Sequence, residues 1–301
     1  MIYDTNEVIL MTNLTPIKVF VGCDPNNCDL EQMMVLDYSI KKHTSAPYEI
    51  IWMQLSKDPK SFWYSDPEKG EGWNTEKWVT PFSGFRWGIP AYCNYEGRAI
   101  YMDADVFVLS DIAQLWEHPF NPGSIVVGKG APLVTRLCVA LWDCARAKKV
   151  LPPIEKIKSD PRAHAKLTNM IKKKPQLVTP FNDHYNCLDG EDLPISDIKI
   201  LHYTDIDTQF SHKYSIPRLQ QEGSAHWFDG EVNTHWRQDL IDLFDQYYQE
   251  ALDAGYSLDN YRNIPYGEVK KASQKDYSAF RDTKGKKKNI FSRIWKSIRG
   301  Y

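Results

Sequence analysis

Short apolar runs recur along the chain, and polar or turn-forming residues end most of them. Runs of this kind, closed by Gly, Pro, Asn or Asp, are typical of buried strands. The predicted strands lie at residues 17–24, 48–55, 98–102, 124–128 and 198–203. Residues 56–80 are rich in Gly, Pro and Trp, and they predict an ordered surface loop.

Segments with helical spacing separate these strands. Asp29 is a candidate N-cap for a helix through Ser39, and residues 82–93 read as helical as far as Pro90. Thr234 is a candidate cap for a helix through about Ala254. The first helix has Met33, Leu36 and Ile40 on one face. The apolar face of the last helix consists of Leu240, Phe244, Tyr247 and Ala251. Gly255 is expected to end that helix.

Strands that alternate with helices predict an α/β sandwich with a largely parallel sheet. No run approaches the roughly 18 apolar residues of a membrane span, and the first twenty residues lack the basic start of a signal peptide. The six cysteines show no CxxC pair and no zinc-like spacing. We therefore expect reduced, mostly buried thiols in a cytoplasmic protein.

Charge is unevenly distributed along the 301 residues. Seven of the 37 basic side chains lie in residues 284–301, where there is no acid, so the rest of the chain has a net charge of about −9. An acidic body with a basic tail excludes a general nucleic-acid binder.

The predicted strand at 98–102 stops at two aspartates, Asp103 and Asp105, before apolar residues resume. Carboxylates at i and i+2 face the same side of an extended chain, and their repulsion is costly unless a cation neutralises it. The pair therefore either caps a turn or holds a metal. Hard cations such as Mg²⁺ and Mn²⁺ bind through a few oxygen ligands together with substrate phosphates.

Ligands of open α/β sheets bind at the carboxyl ends of strands. The first strand ends in Gly22, Cys23 and Asp24, and the third ends in the aspartate pair. This layout suits a nucleotide bound at the end of the first strand. A metal at the end of the third strand would bridge to the diphosphate of that nucleotide. Nothing matches a Walker A loop or GxGxxG.

Several segments together resemble the family 8 glycosyltransferases, which are retaining enzymes of the glycosyltransferase-A fold with a DxD motif. They are KVFVGCDPN, MVLDYSIKKHT, FSGFRWGIP, GRAIYMDADVFVLSDIAQLW and IKILHYTD. The resemblance covers roughly residues 17–205 and fades after Tyr214. It implies a Rossmann-like sandwich followed by C-terminal helices, and metal-dependent transfer of a hexose from a nucleotide-diphosphate sugar, a UDP-sugar, to a glycan or lipid-linked acceptor with retention.

The resemblance also implies roles for individual residues. Asp103, Asp105 and His202 match the family's ligands to Mn²⁺ (or Mg²⁺), and the second ring nitrogen of His202 should have a hydrogen-bond partner. Arg86 matches an arginine near the donor sugar and diphosphate. Asp24 and Asn26 match the contacts to base and ribose; Gly22, Cys23 and Ala104 complete the expected nucleotide-sugar site.

Two segments depart from the family pattern. Asp183 matches an aspartate beside the anomeric carbon, but His184 replaces the neighbouring glutamine, so the expected catalytic set is Arg86, Asp183 and His184. A later Lys-Pro-Trp is missing, and Lys213 is a candidate phosphate-binding substitute. Retention by front-face displacement and by a covalent Asp183 intermediate both stay open.

Plainer interpretations exist for three of these matches. The sequence Asp-Pro-Asn at 24–26 also forms Asx turns, His202 alone reads as a structural histidine, and Arg86 alone reads as half of a surface salt bridge. Two other functions are possible: a catalytically inactive nucleotide-sugar-binding protein, and a metal-dependent phosphohydrolase, which would normally need more ligands for an activated water.

We expect a catalytic domain over 1–265 and a C-terminal extension over 266–301. Residues 284–301 predict a basic amphipathic helix with one apolar face, a pattern typical of a segment lying on an anionic membrane surface. The alternative is a terminal helix docked on the acidic body. The first interpretation makes the protein cytoplasmic and peripherally membrane-associated.

Overall fold

The computed structural model describes residues 15–130, 136–181, 183–204 and 206–274. The strands are β1 (Ile17–Gly22), β2 (Tyr48–Met53), β3 (Ser65–Asp66), β4 (Glu71–Gly72), β5 (Arg98–Asp103), β6 (Val106–Val108), β7 (Val126–Lys129), β8 (Arg136–Asp143), β9 (Val178–Phe181), β10 (Cys187–Leu188) and β11 (Ile200–His202). The α-helices are α1 (Leu30–His43), α2 (Ile89–Tyr92), α3 (Ala113–Trp116), α4 (Cys144–Ala147), α5 (Ile154–Ser159), α6 (Ala163–Lys173), α7 (His212–Gln221) and α8 (Gln238–Asp253).

Six strands form a central sheet in the order β2-β1-β5-β8-β7-β9. β1 is parallel to β2 and β5, and β7 is parallel to β9. β8 alone runs antiparallel to its two neighbours, β5 and β7. The prediction of an α/β fold with a mostly parallel central sheet is confirmed.

Side chains of β1 alternate between two cores, as the two faces of a strand require. Val19 and Val21 pack with the apolar side of α1, including Met33 and Leu36. Phe20 faces a core rich in tryptophan. Burial on both faces explains why β1 reads as a continuous apolar run rather than an alternating one.

A second, three-stranded sheet has the order β10-β11-β6. Its strand β6 follows β5 after a bend at Ala104 and Asp105, and β6 pairs antiparallel with β11 so that Val106 lies opposite His202. The strand expected at 198–203 therefore exists, but it belongs to this small sheet and meets the chain immediately after the aspartate pair.

Several helix boundaries differ from the predictions. The helix near Pro90 does not end there: a 3-10 turn, Phe85–Gly88, continues into α2 with Pro90 in its first turn, where a missing N–H costs nothing. Asp29 precedes α1 without a side-chain cap, because its Oδ2 accepts a hydrogen bond from the Asp24 amide at 2.8 Å.

The last helix begins at Gln238 rather than after Thr234. His235, just before it, pairs with buried Asp189 at 3.2 Å and accepts a bond from the Arg237 amide at 3.0 Å, which holds this segment out of the helix. The predicted stripe of Leu240, Phe244, Tyr247 and Ala251 is buried, as expected.

Residues 56–80 are not simply a surface loop. Trp63, Trp73 and Trp78 are buried there and pack around Phe85. β8 and helices α5 to α7 are further elements that the hydrophobic pattern did not predict. Strand β8 (Arg136–Asp143) leads directly into α4. The apolar residues of this run therefore show no periodicity that distinguishes a strand from a helix.

The described part of the expected C-terminal extension packs on the body. The Tyr266 hydroxyl donates to the Ser65 carbonyl at 3.1 Å, and the Ala272 amide donates to the Trp227 carbonyl at 3.0 Å. The boundary at 265 stays a prediction, and residues 284–301 lie outside the described residues. Within the described ranges, every helix is too short or too polar to cross a bilayer.

Candidate active site

The carboxyl ends of β1 and β5 meet at one edge of the central sheet. Gly22 and Asp103, the last residues of the two strands, are paired in parallel register. A Cβ on Gly22 would lie 3.2 Å from the Tyr101 hydroxyl and 3.3 Å from the Phe82 ring, so glycine lets these groups approach closely. The loop that begins at Cys23 is therefore brought beside the aspartate pair.

His202 reaches the same place from the small sheet. Its Nε2 lies 3.2 Å from Oδ1 of Asp105 and 3.9 Å from Oδ2 of Asp103. The partner expected at the second ring nitrogen is Asn186, whose Oδ1 lies 3.2 Å from Nδ1. His202 is buried, and Asn186 fixes the direction of its ring.

Each aspartate has one oxygen held by donors and the other directed at His202. Oδ1 of Asp103 accepts bonds from the Tyr101 hydroxyl and from Arg86 Nη2, the latter at 2.9 Å. Oδ2 of Asp105 accepts a bond from Gln209 Nε2 at 3.0 Å. His202 Nε2 thus faces one oxygen of each carboxylate, and carboxylate oxygens and an imidazole nitrogen are donors that suit a divalent cation such as Mn²⁺.

Arg86 is buried and its donors are used within the protein. Besides Asp103, it donates through Nε to the Ser83 carbonyl at 2.9 Å and through Nη1 to the Leu137 carbonyl at 2.8 Å. Its guanidinium carbon lies 4.6 Å from the centre of the Tyr101 ring. The residue is therefore a buried ion-pair partner of Asp103 and not half of a surface salt bridge.

Burial and mutual charge govern the titration of this cluster. Burial raises the pKa of Asp105, and the nearby Asp103 charge adds to the rise. Burial acts against protonation of His202, but the Asp105 carboxylate and the Cys138 sulfur raise its pKa well above the ordinary value. Positive charge is thus favoured where the donor atoms converge.

The loop expected to bind the nucleotide forms an Asx turn. Oδ1 of Asp24 accepts bonds from the amides of Asn26, at 2.7 Å, and Cys28, at 3.3 Å. The Asn26 side chain pairs in both directions with the Gly267 backbone, at 2.8 and 2.9 Å. Cys23, the first residue of the loop, is buried. The turn interpretation of Asp-Pro-Asn is correct, and it leaves the nucleotide interpretation open.

A cleft of about 960 Å³ opens beside this loop. Its lining includes Asp24, Asn26, Trp227, Arg262 and Lys271. The cleft is large enough for a nucleotide-sized ligand, and it begins at the two residues that the sequence assigns to base and ribose.

The remaining expected site residues have different surroundings. Ala104 is buried in the bend between the aspartates. Asp183 begins the 3-10 turn Asp183–Tyr185 after β9. The His184 ring contacts the Asp197 carbonyl, and Lys213 pairs with Asp245 on α8. His184 and Lys213 are thus engaged with protein groups outside the aspartate–histidine cluster.

Four residues of the site were missed by the sequence reasoning: Tyr101, Cys138, Asn186 and Gln209. Tyr101 stands two residues before Asp103 on the same strand, so the period of two indicates that both face one side. Asn186 and Gln209 lie in irregular segments, where no sequence periodicity indicates which way a side chain faces. Cys138 lies on β8, which the hydrophobic pattern did not resolve.

No family model matches the chain. The chain is 28% identical over 212 residues to Protein CDI of Arabidopsis thaliana, covering 63% of this chain and 78% of that protein. Among solved structures it is similar to the WbbM bifunctional glycosyltransferase, with a TM-score of 0.50 and 13% identity over 79% of this chain. It is also similar to the glycosyltransferase GlyE of Streptococcus pneumoniae, with a TM-score of 0.49 and 15% identity over 85% of this chain and 67% of that one.

The chain spans about half the length of WbbM, 51% of that chain. This likeness shows the fold, which is of the glycosyltransferase-A type. Membership of family 8 stays a prediction.

Proposed function

We propose that the protein is a metal-dependent retaining glycosyltransferase that moves a hexose from a UDP-sugar to a glycan or glycolipid acceptor. The observation that carries the proposal is the convergence of Asp103, Asp105 and His202 at the strand ends of a glycosyltransferase-type fold. This edge of the sheet is where open α/β folds bind ligands.

The donor set fits a divalent cation, because each aspartate keeps one oxygen directed at His202 Nε2 while its other oxygen is anchored. Asp103, Asp105 and His202 would hold the ion. When bound, a divalent cation neutralises the negative charge of a departing diphosphate.

The chain's own residues position these ligands. Arg86 and Tyr101 fix the Asp103 carboxylate, Gln209 fixes Asp105, and Asn186 fixes the ring of His202. Side chains held in this way lose little conformational freedom when the ion binds, which favours affinity for the ion. Arg86 also adds positive charge beside the place where charge develops on the leaving group.

Asp24 and Asn26 are proposed to contact the uracil and ribose of the donor. Support comes from their place in the lining of the cleft and from the paired register of Gly22 and Asp103, which sets the nucleotide loop next to the proposed metal ligands. Binding through the Asn26 side chain requires exchange of its bonds to the Gly267 backbone.

Retention has two routes that differ in the role of Asp183. In front-face displacement the leaving diphosphate accepts the proton of the acceptor hydroxyl; in the covalent route the Asp183 carboxylate attacks the anomeric carbon first. Asp183→Asn removes the nucleophile, so it abolishes transfer only in the covalent route. His184→Gln, which supplies the amide that the family pattern has, is the companion variant.

A donor screen tests the proposed function. Purified protein is given UDP- or GDP-sugars in Mn²⁺, with and without glycan acceptors, and release of the nucleoside diphosphate is measured. The proposal predicts acceptor-stimulated UDP release that stops in excess EDTA. Nucleotide binding without release would favour the inactive binding protein, and release of inorganic phosphate would favour the phosphohydrolase.

The basic tail is proposed to attach the protein peripherally to anionic membranes, on the basis of its sequence. Each basic residue near an anionic surface contributes about 1 kcal/mol. Deleting residues 284–301 should abolish salt-sensitive sedimentation with anionic liposomes and leave UDP release unchanged. Persistent sedimentation of the truncated protein would contradict this assignment.

A further inference from the structure

A cysteine lies among the proposed metal ligands. One ligand atom from each of Asp103, Cys138 and His202 lies within 4.8 Å of the other two. Cys138 is partly exposed, whereas the other five cysteines, Cys23, Cys28, Cys93, Cys144 and Cys187, are buried. Asp105 is not part of this close group in the described ranges, although its Oδ1 lies 3.2 Å from His202 Nε2.

Sheet register brings the three residues together. β5 and β8 are antiparallel with Met102 opposite Val139, so the next residues along, Asp103 and Cys138, lie side by side at the same end. β11 delivers His202 through its pairing with β6. Because all three residues stand on strands, the cluster is held by backbone hydrogen bonds and not by a loose loop.

The Cys138 sulfur lies within 4.8 Å of a carboxylate oxygen of Asp103 and of a ring nitrogen of His202. It therefore points towards the donor atoms that the aspartates also face. A tetrahedral zinc ion, with Zn–S about 2.3 Å and Zn–N about 2.0 Å, separates neighbouring ligand atoms by roughly 3.5 Å. The three ligand atoms, all within 4.8 Å of one another, lie close to that spacing.

We propose that Cys138 is a thiolate ligand, with Asp103 and His202, for a thiophilic divalent cation of the Zn²⁺ and Co²⁺ class. This inference rests on the proposed function, which supplies the role of the bound ion. On binding, the S–H bond of Cys138 breaks, its proton leaves to solvent, and the sulfur lone pair forms the bond to the ion; no oxidation or reduction occurs.

The sulfur makes the site discriminate between metals. Mn²⁺ and Mg²⁺ prefer the carboxylate and imidazole donors and gain little from a thiolate, whereas Zn²⁺ and Co²⁺ gain a strong ligand. The same cluster thus binds Mn²⁺ through Asp103, Asp105 and His202, and binds Zn²⁺ more tightly through a set that includes Cys138.

Cobalt substitution tests this directly on the full chain. A thiolate bound to Co²⁺ gives an intense sulfur-to-cobalt charge-transfer absorption that oxygen and nitrogen ligands do not give. We expect this band when wild-type protein is titrated with Co²⁺, its loss in Cys138→Ser and its retention in Cys93→Ser, a control at a cysteine outside the cluster. Weaker cobalt d–d bands should persist in Cys138→Ser.

Competition between metals gives a second measurement. Cys138→Ser should weaken Zn²⁺ binding by about ten-fold or more and leave Mn²⁺ binding within about three-fold of wild type. Cobalt binding by wild type without a charge-transfer band, or equal Zn²⁺ affinity in wild type and Cys138→Ser, would overturn the thiolate ligand while leaving the proposed function in place. If wild type binds neither Co²⁺ nor Mn²⁺, the metal site and the proposed function fail together.

Discussion

Oδ1 of Asp105 lies 3.2 Å from Nε2 of His202, although the two residues belong to distant parts of the sequence. The contact arises because β6 turns away from the central sheet immediately after Asp105 and pairs with β11. The bend that breaks β5 is therefore the feature that builds the site, since it carries one aspartate out of the sheet to the histidine.

Removing His202 should disrupt this arrangement. His202→Ala is expected to weaken UDP binding in Mn²⁺ by about ten- to a hundred-fold, on the scale of losing a ligand or its support. Isothermal titration calorimetry measures the change, and His118→Ala, at a more exposed histidine, is the control. Unchanged UDP affinity in His202→Ala would identify His202 as a structural histidine.

Arg86 should contribute strongly to stability. Arg86→Met leaves the buried Asp103 carboxylate and two backbone carbonyls without their donor, and breaking a buried pair in this way costs about 3–5 kcal/mol. The comparison is Arg146→Met, whose more exposed pair with Asp143 should contribute about 1 kcal/mol or less. Urea unfolding measures both. Equal losses of unfolding free energy in the two variants would show that burial does not determine how much Arg86 contributes to stability.

The sequence predicted the strands of this site better than the side chains that orient it. β1 and β5 are strongly apolar, and candidate functional residues stand at the carboxyl end of each. Because the two strands are parallel neighbours, Gly22 and Asp103 meet at the same edge of the sheet. The roles of Gln209 and Asn186 depend on irregular segments whose course is set by tertiary packing. Cys138 was missed because the apolar run of β8 has no distinctive period, although its position beside Asp103 follows once β8 is placed.

The match of Arg86 to an arginine near the donor diphosphate stays a prediction, and the structure shows that Arg86 forms an ion pair with Asp103. Sequence could not show that its remaining donors bind the Ser83 and Leu137 carbonyls, because these bonds depend on the path of the 3-10 turn and of β8.

Buried histidines should make the fold acid-sensitive. Burial lowers the pKa of His164 to about 3, so this ring stays neutral in the folded state. The unfolded chain binds a proton below about pH 6.5, so the stability from His164 is present above that pH and is lost as the pH falls. Between about pH 7.5 and 5.5 the loss should be about 1.4 kcal/mol.

His164→Gln tests this acid sensitivity, because glutamine can still accept the bond that Trp87 Nε1 donates to His164 at 2.9 Å. The variant should lose less unfolding free energy between these two pH values than wild type does. An identical pH dependence in variant and wild type would show that His164 titrates alike in the folded and unfolded states.

The donor nucleotide should be uridine diphosphate. Asp24 and Asn26 are proposed to contact base and ribose, so UDP should bind about ten-fold more tightly than GDP in Mn²⁺, a difference of about 1.4 kcal/mol. Calorimetry compares the two nucleotides, and Asn26→Ala should reduce the preference. Tighter binding of GDP would overturn the assignment of this loop to uridine.

The central claim is that Asp103, Asp105 and His202 hold the divalent cation that a glycosyl transfer requires. The most direct test is UDP release from a panel of UDP-hexoses in Mn²⁺ by wild type, Asp105→Asn and Asp242→Asn, a control at an exposed aspartate on α8, with circular dichroism confirming that each is folded. We predict that wild type and Asp242→Asn release UDP, and that Asp105→Asn, or wild type in excess EDTA, does not. Undiminished release by folded Asp105→Asn, or in EDTA, would contradict the account.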